Sequence, residues 1–168
     1  MENKTLQWVL KFYIYNTMIT REATEKDLEI LLEFEQGVVT AERPFNSTLI
    51  EGEIHYYDLK HLIQSPEATV IVAEENNEII ASGYALIKKA EKNYYQFKEY
   101  AYLGFMYVKP EHRGKGVNKI ITDELISWSK SRGMNEIRLD VYAQNESAIK
   151  AYEKAGFEPH LLTMRLKP

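Results

Sequence analysis

A glycine-rich, basic stretch joins an apolar strand pattern to an amphipathic helix pattern at residues 108–118. It reads VKPEHRGKGVN, with glycines at Gly114 and Gly116 and positive charges at Arg113 and Lys115. Glycine lets backbone N–H groups face a ligand without an obstructing Cβ, and the first turn of a helix leaves N–H groups unpaired. Because a helix N-terminus also carries partial positive charge, the pattern predicts a cradle for a diphosphate. A glycine turn leading into a core helix is the structural alternative.

Two familiar nucleotide-binding loops do not match this stretch. A P-loop requires G-x-x-x-x-G-K-S/T, a pattern that the chain does not contain. The dinucleotide fingerprint G-x-G-x-x-G requires a glycine or alanine where the chain has Lys119, and it prefers an early strand. The sequence therefore contains neither of these two motifs at the loop.

A second motif follows between Asn145 and Phe157, where the chain reads NESAIKAYEKAGF. Together with V-x-P-x-x-R-G-K-G-V at residues 108–117, it resembles the acetyl-CoA signature of the GNAT-type N-acetyltransferases, in the same order and spacing. The likeness extends over residues 18–166, by motif after residue 100 and by element order before it. The resemblance implies acetyl-CoA as cosubstrate and transfer of its acetyl group to a primary amine by direct attack in a ternary complex.

The resemblance also assigns cofactor contacts to a strand end, to the glycine loop and to the start of a later helix. The strand end would pair its backbone with the pantetheine arm and offer an N–H to the tetrahedral oxyanion. The loop would bind the diphosphate, although Asn118 stands where the family favours Gly or Ala. Asn145 would bind the cofactor arm, and it fits an N-cap equally well. The expected set is Met106, Tyr107, Val108, Arg113, Gly114, Lys115, Gly116, Val117, Asn118 and Asn145.

Tyr152 is the residue best placed by the resemblance for acid catalysis. A phenol with a pKa near about 10 is neutral at pH 7 and can donate a proton to the departing thiolate, whose pKa is about 8.5. Family members use a Tyr at this place of the motif in that role. Packing of the ring against the cofactor or the core is the alternative.

The general base is harder to identify. An amine with a pKa near about 10.4 is mostly protonated at pH 7, so attack requires loss of a proton. Family members often place a carboxylate on the strand before the loop, but the corresponding positions are Tyr102, Gly104 and Phe105. We expect either no dedicated base or Glu99, at the start of that strand, acting through water. Asp140 on the next strand is a further candidate, unless it points to solvent.

The acceptor is expected to enter over the segment Arg43–Asp58. Acidic and aromatic side chains there suit a cationic amine through charge and cation–π attraction, whereas the alternative is a solvated loop. The acceptor remains open between a small amine, a polyamine, an amino acid, an aminoglycoside-like drug and a peptide amine. The residues concerned are Phe45, Glu51, Glu53, Tyr56 and Asp58.

The elements that position these residues alternate between strand and helix patterns. They predict an α/β fold with a mixed sheet, and the family resemblance implies that this sheet is mostly antiparallel, twisted and flanked by helices. Thr24 is expected to cap the first helix. The predicted elements after it are a short helix at 57–63, hairpin strands at 69–74 and 79–88, a strand at 100–108, a helix at 114–132, a strand at 136–142, a helix at 147–155 and a final strand at 161–166.

Composition excludes several function classes. The chain has 168 residues, a net charge of −4 and no cysteine, which argues against nucleic-acid binding, disulfides and Cys-ligated zinc. No HExxH pattern is present, so no metal is expected, and no apolar run is long enough to span a membrane. The lack of cysteine fits a cytoplasmic protein.

The chain is expected to divide into an N-terminal extension or arm at residues 1–17 and a single acetyltransferase-like domain at residues 18–168. The apolar arm would serve as an extra packed segment or as an interface in a homodimer, and Met18 is an alternative start. Two other functions remain open beside the enzyme. One is an acyl-CoA-binding sensor with little turnover, favoured by the missing strand carboxylate, and the other is a structural domain.

Overall fold

The structure, a computed structural model, describes residues 18–166. The predicted N-terminal arm lies outside the described residues. Within them, no helix is long and apolar enough to cross a membrane. The strands are β1 (Met18–Glu22), β2 (Ala68–Glu75), β3 (Glu78–Lys89), β4 (Glu99–Val108) and β5 (Ile137–Leu139), and the helices are α1 (Leu28–Glu42), α2 (Leu59–Gln64), α3 (Val117–Ser131) and α4 (Glu146–Lys154), with 3-10 turns at Glu25–Asp27 and Pro110–His112.

The sheet has five strands in the spatial order β1-β2-β3-β4-β5. All pairs are antiparallel except β4 and β5, which are parallel. The predicted hairpin joins β2 to β3 through Asn76 and Asn77, both with positive φ (52° and 64°), a conformation that asparagine tolerates in two-residue turns. The predicted mixed, mostly antiparallel sheet flanked by helices is confirmed.

Each face of the sheet is covered by different helices. One apolar cluster joins α1 and α2 to the sheet through buried residues such as Leu31, Phe34 and Phe105. The other joins α3 to the opposite face, with Ile121 and Leu125 fully buried. Because α1 and α3 lie on opposite faces, β4 has one of these helices packed on each side of it.

A β-bulge at Phe105 changes the course of β4. Phe105 has φ +57°, and the pairing with β3 jumps from Tyr84↔Gly104 to Ser82↔Tyr107. Beyond the bulge Met106 packs in the cluster with α3 while Tyr107 packs against the cluster with α1. The strand therefore keeps its apolar alternation but enters the glycine loop in a new direction.

The final predicted strand, at residues 161–166, is wrong. The structure assigns no strand there, and the segment is exposed, with Leu161 at 87% and Leu166 at 90% relative exposure. An alternating apolar pattern forms a strand only where a neighbouring edge accepts its hydrogen bonds. Here the edge strand β5 has only three residues, and Pro159 removes a backbone donor just before the segment.

An ion pair holds β1 to the turn that opens α1, and it gives a stability prediction. The Arg21 guanidinium donates to both carboxylate oxygens of Asp27 at 2.8 and 2.9 Å, and this bond lowers the pKa of Asp27 to about 2. A carboxyl whose folded pKa is depressed stabilises the fold above its unfolded pKa, near about 3.9, and this contribution disappears as the pH falls through about 2. We expect Asp27→Asn to lower the free energy of unfolding by about 1–2 kcal/mol at pH 7, after allowance for the exposed side of Arg21.

Urea unfolding between about pH 2 and pH 7 measures this effect, and the difference from the wild type should shrink in the acid range. Glu33→Gln, at an exposed position of α1, serves as the charge-matched control. A destabilisation by Asp27→Asn that is the same at both ends of the pH range would contradict the ionic origin.

Candidate active site

The glycine loop has the open backbone conformation that its sequence predicts. Gly114 and Gly116 have φ of +73° and +86°, a region that residues with a Cβ rarely adopt. A Cβ added at either glycine would meet no atom within 4 Å, so the space beside the loop is free. Gly116 is the N-cap of α3, and no side chain caps this helix end. The N–H groups of the first turn of α3 are therefore available to an anion.

Arg113 connects this loop to the end of β4. Its Nε donates to the carbonyl oxygen of Val108 at 2.9 Å, and its guanidinium lies 5.9 Å from the ring centroid of Tyr107. Lys115 is exposed. The structure thus brings the predicted strand end and the predicted basic loop into one continuous surface.

The second half of β4 has an unpaired edge. The parallel β5 pairs only with Ala101, Tyr102 and Leu103, and among residues 18–166 no strand continues that side of β4 towards Val108. The side chain of Tyr107 packs against Phe34 with ring centroids 4.6 Å apart. The ring of Tyr107 is thus used in packing, and on this side the backbone of residues 104–108 has no strand partner, although the Val108 carbonyl accepts from Arg113. The family resemblance predicts that Met106, Tyr107 and Val108 pair here with an extended ligand.

Helix α4 holds Tyr152, the predicted acid. Burial, together with a smaller effect of the negative charge of Glu42, raises the pKa of Tyr152 to about 12. The ring lies edge-on to Phe157 at 6.0 Å, and Phe157 packs in the cluster that contains Val117 of α3. Asn145 acts here as the N-cap, because its Oδ1 accepts from the N–H of Ala148 at 3.3 Å. Tyr152 therefore keeps its proton at neutral pH, and its neighbour Phe157 links α4 to the packing around α3.

Neither predicted carboxylate base lies in this region. Glu99 is exposed at the first position of β4, six residues before the bulge, which places it roughly 20 Å along the strand from Phe105. Asp140 accepts a hydrogen bond from the hydroxyl of Tyr102 at 2.9 Å. The structure brings neither residue into contact with Tyr152.

Two carboxylates that the sequence analysis did not single out lie on the buried face of α1. Glu35 is fully buried, and Glu42 is half-buried at the last position of the helix. Both follow the apolar stripe marked by Leu31 and Val38 at helical spacing. That spacing is the signal that could have identified them, because a carboxylate on an apolar stripe is costly to bury without a partner.

Glu35 anchors the predicted acceptor segment to α1. Its Oε1 accepts from the backbone N–H groups of Tyr56 and Tyr57 at 2.7 and 2.8 Å, and its Oε2 lies 2.8 Å from Nδ1 of His55. The Gln36 side chain exchanges hydrogen bonds with the backbone of Ile54. The hydrogen bond to the Glu35 carboxylate raises the pKa of His55. The segment before α2 is therefore fixed to the helix.

Only part of the predicted acceptor set faces the same space as Tyr56. Phe45 stacks on Tyr142 with ring centroids 6.2 Å apart. The remaining three members of the set are acidic and have different surroundings. Glu51 and Glu53 are exposed, and Asp58 caps α2 by accepting from the N–H of His61 at 3.0 Å. Tyr142 follows a strand and belongs to no motif, so the sequence carries no signal for its place in this region.

Removal of the Glu35 anchor gives a second prediction. Glu35→Ala would leave the N–H groups of Tyr56 and Tyr57 without their acceptor, so we expect a loss of about 2–4 kcal/mol in the free energy of unfolding. The KM for the acceptor should rise, while the Kd for Coenzyme A should stay within about twofold, because the glycine loop lies on other elements. Glu33→Ala, on the exposed side of the same helix, is the control. A variant of unchanged stability and unchanged acceptor KM would contradict this role.

Comparisons with known proteins agree with the arrangement. A model of the "Acetyltransferase (GNAT) family" matches residues 35–157. An uncharacterized N-acetyltransferase of Methanocaldococcus jannaschii is 28% identical over 153 residues, covering 86% of this chain and 64% of that protein. This chain therefore spans somewhat less than two thirds of that relative.

Solved structures share the fold. A tetramutant of the BH1408 protein from Bacillus halodurans has a TM-score of 0.79 at 25% identity, over 89% of this chain and 99% of that one. A predicted acetyltransferase from Clostridium acetobutylicum, solved with acetyl-CoA, has a TM-score of 0.69 at 24% identity, over 89% of this chain and 96% of that one. The sheet, the glycine loop and the family match together lead to one conclusion: the chain belongs to the GNAT family of acetyltransferases.

Proposed function

We propose that this protein transfers the acetyl group of acetyl-CoA to a primary amine by direct attack in a ternary complex. The observation that carries the proposal is the edge of β4 at residues 104–108, which has no strand partner and is followed, after the 3-10 turn at Pro110–His112, by the open loop at Gly114 and Gly116. An extended arm with a diphosphate at one end fits such a strip, since backbone groups bind the arm and helix N–H groups bind the diphosphate.

The residues of this strip divide the binding work. The N–H groups of Gly114, Gly116, Val117 and Asn118 would meet the diphosphate, and Arg113 and Lys115 would add charge. The backbone of residues 106–108 would pair with the pantetheine arm, and an N–H there would stabilise the tetrahedral oxyanion. Asn145 would act on the arm only indirectly, by fixing the start of α4.

Tyr152 would supply the proton that the reaction needs at sulfur. The amine nitrogen forms a bond to the thioester carbon, the C–S bond breaks, and the departing thiolate takes the phenolic proton. The raised pKa of Tyr152 keeps that proton in place over the whole physiological range. Its phenolate would then recover a proton from the newly acylated nitrogen.

We keep the cytoplasm as the expected compartment, because the chain has no cysteine.

An amine panel tests the proposal. Thiol release is measured with acetyl-CoA and, in turn, alkylamines, polyamines, amino acids, aminoglycosides and peptides, alongside a thermal shift with Coenzyme A. Turnover with at least one amine supports acetyl transfer. Coenzyme A at 100 times its Kd stabilises a protein that binds it by about 2.7 kcal/mol, which is seen as a raised Tm. Such a stabilisation with no turnover on any amine would instead indicate a binding domain. No shift and no turnover would contradict both.

A further inference from the structure

We propose that Glu42 holds the ammonium group of a cationic primary-amine acceptor and takes its proton before the attack. The inference rests on the proposed acetyl transfer and adds to it the charge class of the acceptor and the identity of the base. It places the base on α1, on the α1/α2 side of the sheet, and not on β4.

Glu42 stands where several elements meet. It is the last residue of α1, and the next residue, Arg43, fixes the following loop by donating to the carbonyl oxygens of Ile50 and Gly52. Asn46 then links this loop to the segment before α4, because its Nδ2 donates to the hydroxyl of Tyr142 at 3.0 Å. The carboxylate is therefore set on a rigid helix end with its surroundings fixed by hydrogen bonds.

A buried hydroxyl beside Glu42 has no hydrogen-bond partner. The Oη atom of Tyr56 is inaccessible to solvent and makes no hydrogen bond with any of the described residues. Burial raises the pKa of Glu42, and a partly offsetting hydrogen-bonding interaction with this hydroxyl lowers it, although the two groups do not meet the distance and angle of a formed hydrogen bond. Buried polar groups are nearly always paired, so this one indicates a missing ligand atom. An ammonium group, with three donors, could serve both the Glu42 carboxylate and the Tyr56 oxygen.

Aromatic rings line the same space. Phe45 and Tyr142 stack at 6.2 Å, and Tyr56 meets Tyr57 edge-on at 5.8 Å. Rings around a carboxylate favour a cation with an apolar stem, because the ring faces attract positive charge and exclude water. A neutral or anionic acceptor would gain nothing from this arrangement.

The electrostatic state of the group agrees with proton transfer. The titratable and charged groups that interact with Glu42 or with its neighbour Tyr56 are Tyr56, Tyr57, Tyr142, Tyr152 and Arg43. Burial raises the pKa of Glu42, which makes the carboxylate a better proton acceptor than one in water. The charge of Glu42 also raises the pKa of Tyr152, so the base and the acid influence each other directly.

The proposed transfer conserves protons. The ammonium gives one proton to the Glu42 carboxylate, and the resulting amine attacks the thioester carbon. The C–S bond breaks, and Tyr152 gives its proton to the thiolate. The acylated nitrogen returns a proton to the Tyr152 phenolate, and Glu42 releases its proton to water. The products are the amide, the free thiol and one proton, and both side chains regain their starting states.

Substrate charge provides the kinetic test. We compare the wild type, Glu42→Gln and Glu33→Gln on n-butylamine and spermidine, which are cations at pH 7, and on aniline, which is neutral there. We expect Glu42→Gln to lower kcat/KM for the cations by about 100-fold and for aniline by less than about fivefold. Glu33→Gln should match the wild type. Equal losses on both amine classes, or no loss, would overturn the proposal while acetyl transfer itself stands.

A second measurement does not depend on turnover. The carboxyl carbon of Glu42, identified by its loss from the spectrum of Glu42→Gln, is titrated by carbon-13 NMR with and without n-butylammonium or spermidine. Binding of either cation should lower the pKa of Glu42 by about one unit or more. An unchanged pKa with both probes would overturn the proposal, even if the amine panel supports transfer. A lowered pKa without thiol release would support the cation site and contradict the proposed function.

Discussion

Tyr152→Phe lowers kcat by about 100- to 1,000-fold and leaves the Kd for Coenzyme A within about twofold of the wild type. The reason is that phenylalanine keeps the ring against Phe157 but has no proton for the departing thiolate. Steady-state thiol release gives kcat, and isothermal titration with Coenzyme A gives the Kd.

The matched control is Tyr100→Phe, which removes a hydroxyl from a half-buried ring at the start of β4, at the end of the strand away from the glycine loop. It should leave kcat unchanged. If Tyr152→Phe retains wild-type turnover, Tyr152 is a packing residue and the acid lies elsewhere. A loss seen only in the Kd would instead place the hydroxyl on the cofactor.

Gly116→Val raises the Kd for Coenzyme A by about 10- to 100-fold, the second large effect. A β-branched residue resists the φ of +86° at this N-cap, so the N–H groups of Val117 and Asn118 would turn away from the diphosphate. The new side chain would also enter the space that is free beside the loop.

Gly133→Val is an unusually close control. Gly133 follows the other end of α3, has φ +79° and likewise has no atom within 4 Å of an added Cβ. Both variants should lose a similar free energy of unfolding, about 1–2 kcal/mol, from the strained backbone. Only Gly116→Val should weaken cofactor binding, and a parallel loss in both variants would contradict the cradle.

The elements with local signals could be predicted from the sequence. The hairpin, the long helix after the glycine loop and the cap at Asn145 all depend on neighbouring residues, so their patterns were sufficient. The glycine loop likewise combines glycines and basic residues within a few positions. The family resemblance reinforced these elements because its motifs lie in the same local stretches.

The parts that depend on distant contacts could not be predicted in the same way. The final strand at residues 161–166 has an apolar alternation but no edge to pair with, and a sequence does not specify its neighbour. Glu35 and Glu42 read as ordinary helix residues until the segment around Tyr56 packs on them. The bulge at Phe105 depends on a register shift against β3, and no glycine or turn residue at position 105 predicts it.

The way in which Glu35 grips the acceptor segment has an evolutionary consequence. It binds the main-chain amides of Tyr56 and Tyr57, and any residue other than proline carries that amide. These hydrogen bonds therefore do not depend on the side chain at residue 56, whereas the Tyr57 ring is also held by its contacts with Tyr84 and Phe105. Under the proposed function, such a scaffold would accept new amines through changes at residue 56 without loss of the backbone contacts that fix this segment.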